Sequence, residues 1–178
     1  MAIAYARHTS LTSALVEALA DLYAVVYAEP PYEEGPDEVA GFRGGLPEQA
    51  ERGGFTLHTA HQGRALIGAA YGWTMPAGVW WRNADRNPPT DIHAADKLAV
   101  MEWIVHPRLR GRGVGAELMR RLLDGRPEPV ATLAANPESA ARGMYERAGW
   151  VQVARSMLPW GTPMDVLVLR LPAGGVHG

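Results

Sequence analysis

Leu98 to Val105 is apolar on both faces but for one residue, and it runs toward a glycine-rich turn. Leu98, Val100 and Ile104 fall on one side of an extended chain; Ala99, Met101, Trp103 and Val105 fall on the other. A strand of that kind belongs in the middle of a sheet covered on both sides. After the turn, Leu118, Leu122 and Leu123 recur at helical spacing, which predicts a helix over 113–124. A central strand, a turn and a helix in that order imply a layered sheet-and-helix domain.

The remaining elements fit this frame. Residues 2–7 read as a short strand. Thr9 or Ser10 is the expected cap of a helix to about Tyr27, with Leu11, Leu15, Leu19, Leu22 and Val26 as its apolar stripe. A weaker helical stretch covers about 36–52, with interruptions expected at Gly44-Gly45 and Pro47. Strands at 55–61 and 65–73 flank the turn signal Gln62-Gly63 and form a hairpin. Residues 74–96 read as a long irregular insert with Trp80 and Trp81 in it. A strand at 129–135 follows, then a helix over 137–148 opened by Asn136-Pro137. Strands at 150–156 and 164–171 close the chain, and 172–178 is expected to be a loose tail. The order is β-α-α-β-β-β-α-β-α-β-β, an α/β (α+β) arrangement with a mixed sheet and helices packed on both faces.

A chain of 178 residues fits one domain, 1–178, and buries roughly 70% of its unfolded surface without staples. Net charge is -2, which gives no long-range attraction to nucleic acid or an anionic membrane. There is no cysteine, so disulfides, thiolate metal sites and cysteine nucleophiles are excluded. The first residues lack the apolar run of a signal peptide, and no stretch approaches about 18 uninterrupted apolar residues, so a cytoplasmic location is expected.

Basic residues gather at Arg108, Arg110 and Arg112, around Gly111, Gly113 and Gly115. Glycines at alternate positions remove side chains that would keep an anion off the backbone. The N–H groups of the turn and the helix start then converge, and the helix dipole adds about half a positive charge. Arg110 and Arg112 add charge-assisted contacts. The expected guest is a phosphate or pyrophosphate; the alternative is a glycine turn with solvated arginines. Gly111-x-Gly113-x-x-Ala116 also fits a dinucleotide fingerprint formally. Against that, five residues separate strand and glycines, and the next strand ends in Asn136 instead of an acid.

Arg110-x-x-Gly113-x-Gly115 after an apolar strand ending Val-His-Pro resembles the acetyl-CoA motif of the GCN5-related N-acetyltransferases, the GNAT superfamily. Asn136 to Trp150, with its Ala-x(4)-Tyr-x(3)-Gly-aromatic pattern, is similar to that family's second motif. The close match spans about 98–152. The resemblance implies a mostly antiparallel central sheet of about 6–7 strands, splayed between the strands at about 98–105 and 130–135. It implies acetyl-CoA as acyl donor, with its pyrophosphate on the backbone of Arg110, Gly111, Arg112, Gly113, Val114 and Gly115. The pantetheine arm would lie between the splayed strands. The acetyl carbonyl would meet a backbone N–H near Val105, beside Ile104. Asn136 would bond the pantetheine arm; its other reading is a plain helix cap. Tyr145 would donate a proton to the departing thiolate; its other reading is packing. Dimers are common in this family, so a homodimer is a further expectation.

Glu102 is the exception within the apolar strand. A carboxylate there is unfavourable unless paired or functional, and burial raises its pKa toward the range of a general base. Related enzymes often carry an acid on this strand. The alternative is a structural pair with an arginine. Tyr71, Trp73, Trp80, Trp81, Trp103 and His93 are candidates for an acceptor pocket with the insert as lid, or else for core and loop anchors. The acidic residues Glu29, Glu33, Glu34, Asp37 and Glu38 would suit a cationic acceptor. His58 and His61, three apart on a strand, are expected to face opposite sides, and no metal is expected. The expected reaction is direct transfer of acetyl to a primary amine, on a small molecule or a peptide. The alternatives are a degenerate coenzyme A-binding regulatory module and an acyl donor other than acetyl.

Overall fold

A computed structural model describes residues 2–172. The expected tail therefore lies, after Pro172, outside the described residues. The element order is β1 (Ile3–His8), α1 (Ser13–Tyr27), α2 (Pro36–Ala50), β2 (Thr56–Gln62), β3 (Ala65–Met75), α3 (Thr90–His93), β4 (Lys97–Val105), α4 (Val114–Leu123), β5 (Val130–Ala135), α5 (Ala140–Arg147), β6 (Val151–Met157) and β7 (Pro163–Arg170). The strands form one seven-stranded sheet in the order β1-β2-β3-β4-β5-β7-β6. The pairs β1–β2, β2–β3, β5–β7 and β6–β7 are antiparallel. The β4–β5 pair is parallel, with Lys97, Leu98 and Ala99 opposite Val130, Ala131 and Thr132. The fold is thus mixed α/β on a mostly antiparallel sheet.

The chain divides into two compact units, Met1–Trp73 with Met101–Asp124, and Thr74–Val100 with Gly125–Gly178. The first has a core of Leu19, Leu22, Val26, Leu46, Leu57, Tyr71 and Ile104 among others. The second packs Ile92, Val130 and Val168 together, with Trp80 and Val153 against them.

Several boundaries differ from the expectation. Helix α1 starts at Ser13, because β1 keeps pairing as far as His8 opposite Leu57. Its cap is Thr12, whose hydroxyl accepts the Leu15 N–H at 3.2 Å. Helix α2 runs unbroken through Gly44-Gly45 and Pro47. Pro47 gives up one N–H, and the burial of Leu46 in the core offsets the weak local propensity. Helix α5 starts at Ala140, not at Asn136-Pro137. Asn136 instead closes a turn: its side-chain oxygen accepts the Glu138 N–H at 2.9 Å, and its carbonyl accepts the Ser139 hydroxyl at 2.8 Å. The 74–96 stretch is less irregular than expected, since β3 extends to Met75 and α3 occupies Thr90–His93.

Lys97, at the start of β4, is fully buried, and among the described residues no carboxylate is in hydrogen-bond reach of it. Its ammonium donates to the carbonyls of Ala95 at 2.7 Å, Pro76 at 3.2 Å and Ile92 at 3.5 Å. Both ends of the insert are therefore fastened to one cation. Desolvation holds the Lys97 pKa below its ordinary value.

Candidate functional site: a glycine turn and a tyrosine-held carboxylate

Strand β4 ends at Val105, and residues Pro107–Leu109 make a single 3₁₀ turn capped by His106, whose Nδ1 accepts the Arg108 N–H at 3.3 Å. Arg110 is extended, and Gly111 and Gly113 take φ of 72° and 80°. Those values are strained for any residue with a Cβ. A Cβ at either position would meet nothing within 4 Å, so the turn opens onto free space. Helix α4 then starts at Val114 with Gly113 as its cap. Unpaired N–H groups of a helix start, exposed by two side-chain-free residues, fit an anionic phosphate group.

Two glycines seat this turn on the sheet. Gly115 lies against the Trp103 indole, where a Cβ would come within 3.1 Å, and the indole N–H donates to the Gly115 carbonyl at 2.9 Å. Under the helix, a Cβ on Gly68 of β3 would come within 2.9 Å of Leu118 and 3.3 Å of the Ile104 carbonyl. Arg110 turns its guanidinium to Glu29, at 2.7 Å. Arg112 is exposed.

Glu102 lies on the same strand, three residues before its end. Its partner is a tyrosine, not an arginine: Tyr27 donates its hydroxyl proton to Oε1 at 2.5 Å. The Trp103 backbone N–H also donates to Oε1, at 3.2 Å. The residue keeps some surface open to solvent. Desolvation by the surrounding protein nevertheless dominates and pushes its pKa up to about 7. The two hydrogen bonds pull the other way, and the nearby Glu34 charge adds to the rise. Burial and the Glu102 carboxylate hold the Tyr27 hydroxyl well above the usual phenol range.

Beside this pair is a second one. Tyr23, one helical turn before Tyr27, donates to Glu34 in the loop between α1 and α2. The Tyr23 and Tyr27 rings are 4.3 Å apart between centroids. Tyr23 stacks on Phe42 at 4.1 Å, and Tyr32 meets Tyr27 edge-on at 4.7 Å. Burial raises the pKa of Glu34 as well, with the Tyr23 bond opposing it. Tyr23 and Tyr27 were not among the sequence candidates. Their spacing of four on α1 was the available signal, since it places two hydroxyls on one helix face.

The other candidates are placed as follows. Ile104 is buried in the first unit's core, and Val105 is partly covered. Tyr71 is buried in the same core, 5.8 Å from Phe55. Trp73 lies under the Arg52 guanidinium at 4.5 Å. In the second unit, Asn136 is buried within its turn. Tyr145 is buried and meets Trp150 edge-on at 5.6 Å. The Trp81 indole N–H donates to the Thr132 hydroxyl at 3.0 Å. His93 ends α3, and its carbonyl accepts the Gly78 N–H at 2.8 Å. His58 is buried, whereas His61 is half-buried and shares the Thr59 hydroxyl with His8 across a bulge at Ala60 and His61. Among the described residues no group of three or more His, Asp or Glu is placed to hold a metal. Nor is any helix among them long and apolar enough to cross a membrane.

The chain is similar to several known proteins. A GCN5-like protein acetyltransferase of Mycobacterium tuberculosis is 28% identical over 117 residues, 58% of this chain. The chain spans 57% of that relative's length. A protein of Pyrococcus horikoshii has the same fold, with a TM-score of 0.70 at 19% identity over 96% of this chain and 99% of that one. So does the PaiA N-acetyltransferase of Thermoplasma acidophilum, solved in complex with coenzyme A, with a TM-score of 0.60 at 12% identity over 96% and 99%. The family model for the acetyltransferase (GNAT) family matches residues 12–150, which take in α1, the glycine turn, Glu102 and Tyr145, and the chain belongs to that family.

Proposed function

We propose that this chain transfers an acetyl group from acetyl-CoA to a primary amine by direct attack. The observation that carries the reading is Glu102, a carboxyl group on an otherwise apolar strand, poised near neutral pH by burial and held by Tyr27. An amine is protonated at neutral pH and must lose a proton before it can attack. Glu102, ionised in part at that pH, accepts it directly or through one water. The amine nitrogen then bonds to the acetyl carbon as the carbon–sulfur bond breaks, and the sulfur leaves as thiolate. The family resemblance of 136–150 supports Tyr145 as the donor of the proton that the thiolate takes up. The open glycine turn, Gly111 to Gly115, supports pyrophosphate binding there, with Arg112 free to add charge. Backbone groups of Ile104 and Val105, and Asn136, are the proposed holders of the acetyl and pantetheine parts. The acceptor is a small-molecule or peptide amine. Because the mycobacterial relative is a protein acetyltransferase, lysine peptides belong in the screen.

Thermal shift with acetyl-CoA, coenzyme A and NAD tests the cofactor. A ligand at about 100 times its Kd adds roughly 2.7 kcal/mol, on the order of 5–10 °C here. Stabilisation by the two coenzyme A forms and not by NAD is expected; none with saturating acetyl-CoA would end the reading. An amine screen by thiol release follows, free of protein background because the chain has no cysteine. Glu102→Gln is expected to lower turnover by about 10²–10⁴-fold. A chain that binds coenzyme A, acetylates no amine and ignores that substitution in its other properties is a regulatory binder instead.

A further inference from the structure

Two tyrosine–carboxyl pairs stand one helical turn apart, and only one of them is on the strand that carries the proposed base. Tyr27 of α1 reaches Glu102, and Tyr23 of α1 reaches Glu34. The two rings touch, so the pairs form one contiguous unit. We infer that Tyr27 and the Tyr23–Glu34 pair are positioning residues for Glu102: Tyr27 fixes the oxygen that takes up the proton, while Tyr23 holds the Glu34 charge where it opposes that of Glu102. The inference rests on the reading of Glu102 as the base.

The two influences have opposite signs. A hydroxyl that donates to a carboxylate favours the ionised form. Tyr27 therefore lowers the pH at which Glu102 loses its proton. A second carboxylate nearby disfavours ionisation, so Glu34 raises it. Burial alone would leave Glu102 as a weak acid with no fixed orientation. Tyr27 and the Trp103 backbone N–H fix Oε1 between them, and Glu34 keeps the basicity from falling too far as Tyr27 acts. Tyr23 also anchors Glu34 against drifting into solvent, because it is itself wedged between Tyr27 and Phe42.

Among the described residues, the charge that acts on Glu102 is that of Glu34. From α1 the facing groups are Tyr23 and Tyr27, and Tyr32 acts on Tyr27. From the loop comes Glu34, with Glu38 of α2 behind it. From β3 comes the Tyr71 hydroxyl, which couples to Glu102 and stays protonated because it is buried. From β4 itself comes the Trp103 N–H. Burial sets the main shift of Glu102, and two of the side chains that adjust it, Tyr27 and Glu34, can be removed one at a time.

The test is a carbon-13 titration of the full chain with carboxyl-labelled glutamate, the Glu102 resonance being assigned by its loss in Glu102→Gln. Tyr27→Phe is expected to move the Glu102 midpoint to higher pH, and Glu34→Gln to lower pH. Once an acceptor is in hand, the acidic limb of kcat/KM follows the same two directions. Midpoints that stay put in both variants, or move the same way, overturn the inference. Glu34 lies in a half-exposed loop position, so Glu34→Gln reads out even where Tyr27→Phe perturbs folding. The base assignment fails separately: Glu102→Gln with full acetyl transfer overturns it, whatever the titration gives.

Discussion

Arg110, the first residue of the glycine turn, is held 2.7 Å from Glu29, which follows the C-cap of the first helix. The guanidinium that would most naturally meet a phosphate is already committed to a carboxylate. Both side chains are about half exposed, so the pair is worth no more than about 1 kcal/mol and is exchangeable. Glu29→Gln frees Arg110 and removes a negative charge beside the turn. Coenzyme A is expected to bind about two- to fivefold more tightly to this variant at low salt, with the advantage fading as salt rises. Calorimetric titration at two ionic strengths checks it; equal or weaker binding would show that Glu29 positions Arg110 for the cofactor.

Glu102 also bears on stability. Its folded pKa of about 7 stands above the ordinary 4.5, so the folded chain holds more protons than the unfolded one between those values. Stability from this group is complete below about 4.5 and is lost as pH rises through about 7. Glutamine does not ionise, and its carbonyl still accepts from Tyr27. Glu102→Gln is expected to match the wild type in Tm near pH 5 and to exceed it by at least about 2 °C near pH 8. Melting scans across that interval decide it; a constant difference would mean the carboxyl ionises as freely folded as unfolded.

Gly68 is where the glycine turn is most sensitive to a remote change. An added methyl meets Leu118, Val114 and the Ile104 carbonyl together, and the carbonyl belongs to the strand and cannot yield as a side-chain tip can. Gly68→Ala is expected to destabilise the chain by about 1–3 kcal/mol. It should also weaken coenzyme A binding, because Val114 is the first residue of the helix that the turn feeds. Urea unfolding and a binding isotherm on one preparation measure both effects. Loss of stability with unchanged affinity would separate the turn from the packing beneath it.

Lys97 secures the insert by donating to three carbonyls. Lys97→Met keeps most of the apolar stem but removes the ammonium bond from all three carbonyls, of which Pro76 and Ile92 keep the Val79 and Ala95 N–H groups. A loss of about 1–3 kcal/mol is expected, together with faster proteolysis within 76–95. Limited proteolysis with mass mapping locates the cuts, and cleavage spread evenly over the chain would argue against a local tie.

The sequence made the sheet's centre plain, because a strand apolar on both faces has few places to go. The turn from Arg110 to Gly115 was equally legible, since positive φ at Gly111 and Gly113 is what glycine is for. Glu102 declared itself as a lone acid on an apolar strand. Its partner did not. Tyr27 is 75 residues away, and nothing in local spacing says that an arginine would be absent and a phenol present. The α5 start was misplaced because Asn136 can cap a helix or close a turn with the same side-chain oxygen, and Ser139 decides between them. The run through Pro47 was missed for a related reason: propensity is local, whereas the burial of Leu46 is not.

Trp103 joins the strand of the proposed base to the first turn of the helix after the glycine turn, through its indole N–H on the Gly115 carbonyl. An indole emits differently as its surroundings and its hydrogen bond change. The molecule therefore carries a fluorophore at the junction its ligand would touch, and a Trp103→Phe control isolates that signal from the other five tryptophans. Occupancy of the turn is thereby open to stopped-flow optics, without label or coupled enzyme.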